Sequence, residues 1–542
     1  MAALAVDEKR LWKFLIFGVS GKINRQPIEV LKNHVDGAID SILQRGSGGT
    51  IIKLVEERSH KCCKFYPVAY VLAKCARCSD KNVSKQAYLL LPKVCKTPSH
   101  LFLFHFYCKH ACNLKSWPRA HRRHIAAWYT ENPEYQKDFL QLARHVTKYR
   151  CRHGISHRKV IRSCHPKPPN EKFDFIFRYV AKGLKKADAK YSGQVSVATR
   201  VFSEECEDFI RDYETMKSRR ASLDHVIKTI KIWRLTWEHV PATFLELPEV
   251  WKTLLLQTQM PVTALIRNLV KMTRLDILQP DSEGERMVCT KLNDPNILEQ
   301  TKIHPFHVLT ALAAYRRGKK EKKGKALTWA VSDRIMQALY QFFLHSHALS
   351  PTEKRLLLAI DVTMEMEKPV GSSCLTTKEA AVALAVALHQ NANKAETVTF
   401  GKVTNKFEIQ PQNQSAFDIE STLESIHHQT AEETVKPNYS SPFMHAKQKS
   451  EGYDGLILLT SQVNAEEATT IRNSFQEYKK ENNPQAKCVI ITYCHSEHVG
   501  SENDSDILEV EGVDSCAAKD MMDFINGFNP MDLAFSVLDI RD

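Results

Sequence analysis

The residues with the clearest chemical meaning lie in the run 146–168, VTKYRCRHGISHRKVIRSCHPKP. Between positions 139 and 170 there are eight Lys or Arg, four His and no Asp or Glu. Arg144, Lys148, Arg150, Arg152, Arg158, Lys159, Arg162 and Lys167 repel one another in a compact fold. A polyanion is the expected counter-charge, and a phosphate backbone is the obvious one. Tyr149, Gly154, His157 and His165 are interleaved with these cations and can stack on or bond to nucleotides. A solvated basic face or a nuclear-import run is the alternative. The interleaving, and the place of the run well inside a folded chain, weigh against it. If eight residues each neutralised one phosphate, the log–log salt slope would be roughly −6 at about −0.7 per contact, as an upper bound.

The local pattern places this run on two basic helices that meet at a tight turn. Lys148 and Arg152 are four apart and share a face of the first helix, which Gly154 ends. His157 and Arg162 lie on the second, N-capped by Ser156. Lys115, Arg119, Arg122 and Arg123 form a second cluster just upstream, with Trp117 and Trp128 among them. Arg267, Asn268 and Lys271 form a third, in MPVTALIRNLVKM. His304 and His307, in IHPFH, read as packing or capping residues.

Other chemistries find little support. Cys62, Cys63, Cys75 and Cys78 superficially resemble a zinc set, but only Cys75-x-x-Cys78 has ligand spacing, in an apolar helical setting. Residues 46–50, GSGGT, lack the lysine of a phosphate-binding loop. Histidines are plentiful, yet no pair is marked out as acid and base, so no catalytic residue is expected. Asp361-Val-Thr363-Met-Glu365 follows an apolar run and resembles the Asp-x-Ser-x-Ser metal-ion motif of von Willebrand factor A domains. Its second hydroxyl is replaced by Glu365, and Ser461 stands where a further Asp should follow residues 455–460. The site reads as decayed. The expected cofactor set is none, with a divalent ion at Asp361 and Thr363 as the alternative that the motif leaves open.

These groups must be held by elements of two kinds. Residues 1–350 read as successive short helices, among them 64–75, 85–95, 101–112 and 119–129. In 223–240, Val226, Ile230, Trp233 and Trp237 are spaced 4, 3 and 4, one apolar stripe of a helix and core. In 301–317, Pro305 opens a helix with Val308, Leu309, Leu312 and Tyr315 on its face, and Gly318 stops it. No strands are expected in this half, and 318–325, GKKEKKGK, reads as a flexible loop. Many helices on short links point to stacked hairpins of the HEAT type. After Pro351, the apolar runs 355–361, 455–460, 487–493 and 398–400 read as buried strands, with helices over 377–390 and 465–481 between them. That alternation predicts a parallel, doubly wound sheet, with Asp361 on its ligand rim. The division falls at 1–353 and 354–542.

Composition agrees with two different jobs. The whole chain of 542 residues has a net charge of +14, but residues 371–542 carry 13 Lys/Arg and 26 Asp/Glu, leaving about +27 on the first 370. Fifteen cysteines and a polar start, MAALAVDEKR, point to free thiols in a reducing compartment, cytoplasmic with access to the nucleus. The longest apolar run, 380–388, is far short of a membrane span, so no membrane partner is expected.

Several runs together resemble the 60-kDa SS-A/Ro ribonucleoprotein family: CARCSD (75–80), PSHLF (98–102), the basic run 146–168, MPVTALIRNLVKM (260–272), IHPFHVL (303–309) and, more weakly, EKRLLLAIDV (353–362). The first five lie in that family's TROVE module. The resemblance implies a multidomain protein: an all-α HEAT-like horseshoe closed into a monomeric ring by an α/β von Willebrand factor A-like domain. It implies small noncoding Y-type RNAs bound outside the ring and single-stranded 3′ ends of misfolded RNA taken into its basic hole, a non-catalytic role in RNA quality control. It marks Lys148, Arg152, His157, Arg162, His165 and Lys167 as RNA contacts, while Arg150, Arg158 and Lys159 rest on charge. A protein–protein scaffold, with the acidic second half recruiting partners, is the alternative.

Overall fold

The computed structural model describes residues 2–19, 27–61, 64–191, 200–257, 260–300, 303–322, 325–346, 352–371, 373–407, 423–424, 436–449, 452–494, 506–512 and 515–527. From Ala2–Phe17 to Asp333–Ser346 the chain is a run of short helices, each packed on its near neighbours in sequence. Gly48–Lys61 lies on Tyr66–Ala76, Tyr66–Ala76 on Pro98–His110, Arg119–Thr130 on His157–Cys164, Leu223–Trp233 on Pro248–Leu256, and Val262–Arg274 on Pro305–Arg316. This nearest-neighbour stacking is a solenoid.

The helices start and stop where the side chains dictate. Asp80 caps Lys81–Leu89 by accepting from the N–H groups of Asn82 (2.8 Å) and Val83 (3.1 Å). Thr97 caps Pro98–His110, with Pro98 in the first turn where its missing N–H costs nothing. Pro305–Arg316 buries Val308, Leu309, Leu312 and Tyr315, and His304 caps it, Nδ1 accepting from Phe306 N at 3.1 Å. Trp128 is fully buried, and its indole N–H donates to the Cys95 carbonyl at 2.7 Å.

Three expectations are corrected. The helix over 223–240 ends at Trp233, because Arg234 turns left-handed (φ 46°) and Trp237 falls in a separate 3-10 turn, Trp237–His239. Trp233 nonetheless stays in the core, its indole N–H donating to Asp212 at 2.8 Å. The helical half also contains strands. Strands β1 (Cys151–Arg152) and β2 (Ile155–Ser156) form one antiparallel hairpin, and β3 (Lys319–Lys322) and β4 (Lys325–Thr328) form another. The second replaces the expected flexible loop. Gly318 (φ 61°) turns the chain out, and Trp329 anchors its return by donating from N to Gly318 O (2.9 Å) and from Nε1 to Tyr315 O (2.8 Å).

The remaining strands make one sheet. They are β5 (Thr352–Asp361), β6 (Ala392–Phe400), β7 (Thr404–Phe407), β8 (Gly455–Thr460), β9 (Lys487–Thr492) and β10 (Ile507–Glu511). The order is β10-β9-β8-β5-β6-β7, parallel throughout except for β7, which runs antiparallel on β6. Alternate residues of β5 serve opposite faces. Leu356, Leu358 and Ile360 join a cluster with Thr377–Gln390 and Ser515–Ile525, whereas Leu357 and Ala359 join one with Ser441–Lys447 and Ala465–Glu481. Helices on both faces make the domain doubly wound.

The first of those clusters is continuous with the core of the helical half. Two seams carry it across. At one, Arg316 pairs with Glu379 (3.2 Å), Arg317 donates to the Cys374 carbonyl (2.5 Å), and the Cys374 thiol reaches Thr310 O (3.8 Å). At the other, helix Ala2–Phe17 packs against Ser515–Ile525.

Gly18 sets the exit from that first helix. It has φ 66°, and an added Cβ would stand 2.0 Å from the Tyr66 hydroxyl. The hydroxyl is fixed there because it accepts from Val19 N (2.6 Å) and donates to Val19 O (3.0 Å). Gly18→Ala meets both a steric and a backbone penalty, and is expected to lower unfolding stability by about 2 kcal/mol or more in a urea titration. An unchanged midpoint would refute this account of the turn.

Candidate nucleic-acid interface

Helix Phe139–Lys148 is capped by Asp138 and ends at Lys148. Tyr149 follows, with the Lys148 ammonium 5.4 Å and the Arg152 guanidinium 6.0 Å from its ring. Arg152 is therefore not on that helix. It lies in the β1–β2 hairpin, whose turn residues His153 (φ 53°) and Gly154 (φ 73°) are both left-handed. Such a two-residue turn matches the twist of paired strands, which is why the chain reverses here instead of joining helix to helix. The hairpin displays Arg150 and Arg152 to solvent.

Helix His157–Cys164 follows directly, and Ser156 caps it as expected, Oγ accepting from Lys159 N at 3.3 Å. His157, Val160, Ile161 and Cys164 face inward, while Arg158, Lys159 and Arg162 face out. His165 (φ 49°) ends the helix, and it and Lys167 are exposed. The buried face rests on Arg119–Thr130, whose His121, Ile125, Trp128 and Tyr129 turn in and whose Arg119, Arg122 and Arg123 turn out. The fold thus places the upstream cluster, with exposed Lys115, on the helix next to the central run.

Most of these cations lack protein counter-charges. Among the described residues, Lys115, Arg119, Arg122, Arg150, Arg158, Lys159, Arg162 and Lys167 form no ion pair, whereas nearby Arg178, Lys190 and Arg211 each bind a carboxylate. Lys148 is largely covered and stands 3.6 Å from Glu238. The third cluster lies apart, on a helix packed against Pro248–Leu256, Glu283–Leu292 and Pro305–Arg316. There Arg267 is exposed, Lys271 pairs with Glu246, and the Asn268 amide donates to Ala264 O of its own helix (2.8 Å).

His157 is not a surface residue. It is 2% exposed, its Nδ1 is 2.8 Å from the Tyr129 hydroxyl, and the Phe102 ring lies 4.8 Å away. Trp128 is likewise core, and only Trp117 of the upstream tryptophans reaches the surface, over the His105 ring at 4.4 Å. Sequence reasoning missed the polar chain beneath it. The Tyr88 hydroxyl meets His121 Nδ1 at 3.0 Å, and His121 Nε2 meets His105 Nδ1 at 3.0 Å. The signal was present: His121, Ile125 and Trp128 share the spacing of one buried face.

Asp361, at the C-terminal end of β5, is buried. Its Oδ1 accepts from Thr363 N (2.9 Å) and Thr363 Oγ1 (2.8 Å), and its Oδ2 from Thr460 Oγ1 (2.6 Å). Burial raises the carboxyl pKa above the usual range. Glu365 turns to Lys368, and Ser461 supplies no carboxylate. These donors do not fit a divalent ion, which asks for open oxygen ligands. Cys62 and Cys63 lie outside the described residues, Cys75 is buried with its thiol pKa pushed up by desolvation, and no set of three or more His, Cys, Asp or Glu among the described residues could hold a metal.

A helical solenoid with an uncompensated basic face, continuous with a von Willebrand-type α/β domain, defines a polyanion-binding protein of two joined parts. The TROVE domain model matches residues 5–373, and the Ro60 vWA domain model matches residues 355–525. RNA-binding protein RO60 of Caenorhabditis elegans is 30% identical over 460 residues, covering 73% of this chain and 69% of its own length. RNA-binding protein RO60 of Deinococcus radiodurans is 26% identical over 529 residues, 96% of this chain and 93% of its own. The crystal structure of the Deinococcus radiodurans RO (RSR) protein matches in fold with a TM-score of 0.73 at 22% identity, covering 96% of this chain and 100% of that one. The chain belongs to the Ro family, which joins a TROVE domain to a Ro60 vWA domain.

The basic helices rest on neutral histidines. Burial lowers His121 and His157 to about 3, and His100, His105, His145, His239 and His307 to about 4. An unfolded imidazole titrates near 6.5, so below that pH the unfolded chain binds more protons and stability falls with pH until the folded values are reached. Urea midpoints should decline from about pH 6.5 towards pH 4, less steeply in His121→Asn. A flat profile across that window would contradict the buried, neutral assignment.

Proposed function

We infer that this protein is an RNA-binding protein of the Ro ribonucleoprotein type, acting in RNA surveillance. The observation that carries the reading is the joined face of Arg119, Arg122, Arg150, Arg158, Lys159, Arg162 and Lys167, exposed and without ion pairs among the described residues. Two relatives, over 73% and 96% of this chain, are named as RNA-binding proteins. The function is binding, with no catalytic step. Exposed cations contact phosphates, Tyr149 and His165 offer stacking groups, and His157 supports the helix from below.

The finer reading has two kinds of RNA partner: small structured noncoding RNAs of the Y type, and the single-stranded 3′ ends of misfolded RNAs. It also has the chain working as a monomeric ring, an arrangement supported by the packing of helix Ala2–Phe17 on Ser515–Ile525. No described helix is long and apolar enough to cross a membrane. A cytoplasmic location with access to the nucleus is part of the proposal, supported by twelve free thiols from Cys75 to Cys494.

The test is a mobility-shift series in salt with a small hairpin RNA, a blunt duplex and a duplex with a 3′ tail. The wild type should prefer hairpin and tailed RNA. Arg158→Ala/Lys159→Ala/Arg162→Ala should weaken binding at least tenfold and flatten the log–log salt slope by about 2, at about 0.7 per lost phosphate contact. Equal binding of all three probes, untouched by the triple variant, would overturn the reading and leave the protein-scaffold alternative.

A further inference from the structure

A cavity of about 190 Å³ opens where helix Leu223–Trp233 stops. Its wall is made by Arg234, Thr236, Trp237, Leu254, Met260 and Pro261. It is smaller than the roughly 300–1,000 Å³ of a drug-sized site, and suits a single ring system. One wall is aromatic, the half-buried Trp237, and the floor includes the buried Leu254 and Met260.

Cations stand at the rim. Arg234 is exposed and makes no hydrogen bond or ion pair among the described residues. Lys291 donates to the Met260 carbonyl at 2.5 Å. Pro261 leads into helix Val262–Arg274, whose first N–H groups carry the positive end of the peptide dipoles. The notch is also tied to the basic run. Arg144 donates to Trp233 O (3.3 Å), His239 Nε2 meets Arg144 O (3.3 Å), and Glu238, next to Trp237, faces Lys148. It therefore lies between the central cations and the helix that bears Arg267.

A flat aromatic wall, an apolar floor and a cationic rim match one chemical object: a planar heterocycle attached to an anion. We propose that this notch grips one unpaired nucleotide of bound RNA, its base against Trp237 and its phosphate on Arg234. The proposal rests on the RNA-binding reading above and adds the place at which a single base is held. Stacking on an aromatic ring tolerates any base, so the grip senses single-strandedness and not sequence.

The test compares three RNAs: a duplex with a 3′ oligouridine tail, the same duplex with an abasic tail, and a hairpin without a tail. The variants are Trp237→Ala, Trp237→Phe and Arg234→Asn, the last chosen because Asn suits a left-handed backbone. Trp237→Ala should weaken the uridine tail about 5- to 100-fold and erase the preference for it over the abasic tail. Trp237→Phe should keep most of that preference, and Arg234→Asn should weaken both tails alike. Hairpin binding should be unchanged in all, which also reports that each variant is folded. Wild-type tail affinity and base preference in Trp237→Ala would overturn the notch alone. Failure of the wild type to bind any of the three would overturn the RNA reading itself. If Trp237→Ala loses the hairpin too, the Phe and Asn variants decide.

Discussion

Like-charge repulsion is the constraint on which this surface is built. Helix His157–Cys164 carries Arg158, Lys159 and Arg162 outward with no paired acid among the described residues. Two more arginines stand on the hairpin just before it. What holds the helix down is its other face, where Val160, Ile161 and Cys164 are buried against the neighbouring helices and His157 is bonded to Tyr129. Burying each aliphatic side chain contributes roughly 1.5–3 kcal/mol. Exposed charges at this spacing repel by about 1 kcal/mol or less in water. The apolar face wins, and the free protein carries a repulsion that a bound polyanion relieves.

The same logic explains the histidines. Charged imidazoles beneath such a surface would add to the repulsion, so the underlayer is built from neutral rings joined to tyrosines: His157 to Tyr129, His145 to Tyr135, His121 to Tyr88. Each pair satisfies a buried polar group without adding charge. The charge of the interface is thereby left mainly to Lys and Arg.

Much of this was legible from the chain. Helices Thr377–Gln390 and Ala465–Glu481 and strand Gly455–Thr460 fall where their apolar patterns predict. Long, regular patterns are decided by local burial, which the sequence displays. The departures occur where a single backbone angle overrides the pattern. The stripe from Val226 to Trp237 is interrupted by one left-handed residue, Arg234, and the face expected for Lys148 and Arg152 is lost at Tyr149 (φ −98°, ψ 47°), where the helix ends. Neither change alters hydrophobic spacing, so neither is visible to it. For the site, the positions of the cations were readable, but which of them are spent inside the protein was not. The pairing of Lys271 with Glu246 and of Lys148 with Glu238 depends on partners distant in sequence. His157 read as a contact from the family resemblance and its place among the cations, and its burial follows from facing Tyr129 across the helix pair.

The seat of helix Ala2–Phe17 on Ser515–Ile525 sets an order of events in the making of the protein. Helix Ala2–Phe17 leaves the ribosome well before its partner, Ser515–Ile525. Until then its apolar side chains Leu11, Phe14 and Leu15 have only the early helices to lie against. Joining elements so far apart in sequence also carries the loop-closure entropy of the chain between them, which the preformed solenoid reduces by ordering the intervening helices. This contact therefore forms late, and the nascent chain passes through a stage in which the two helices are not yet joined.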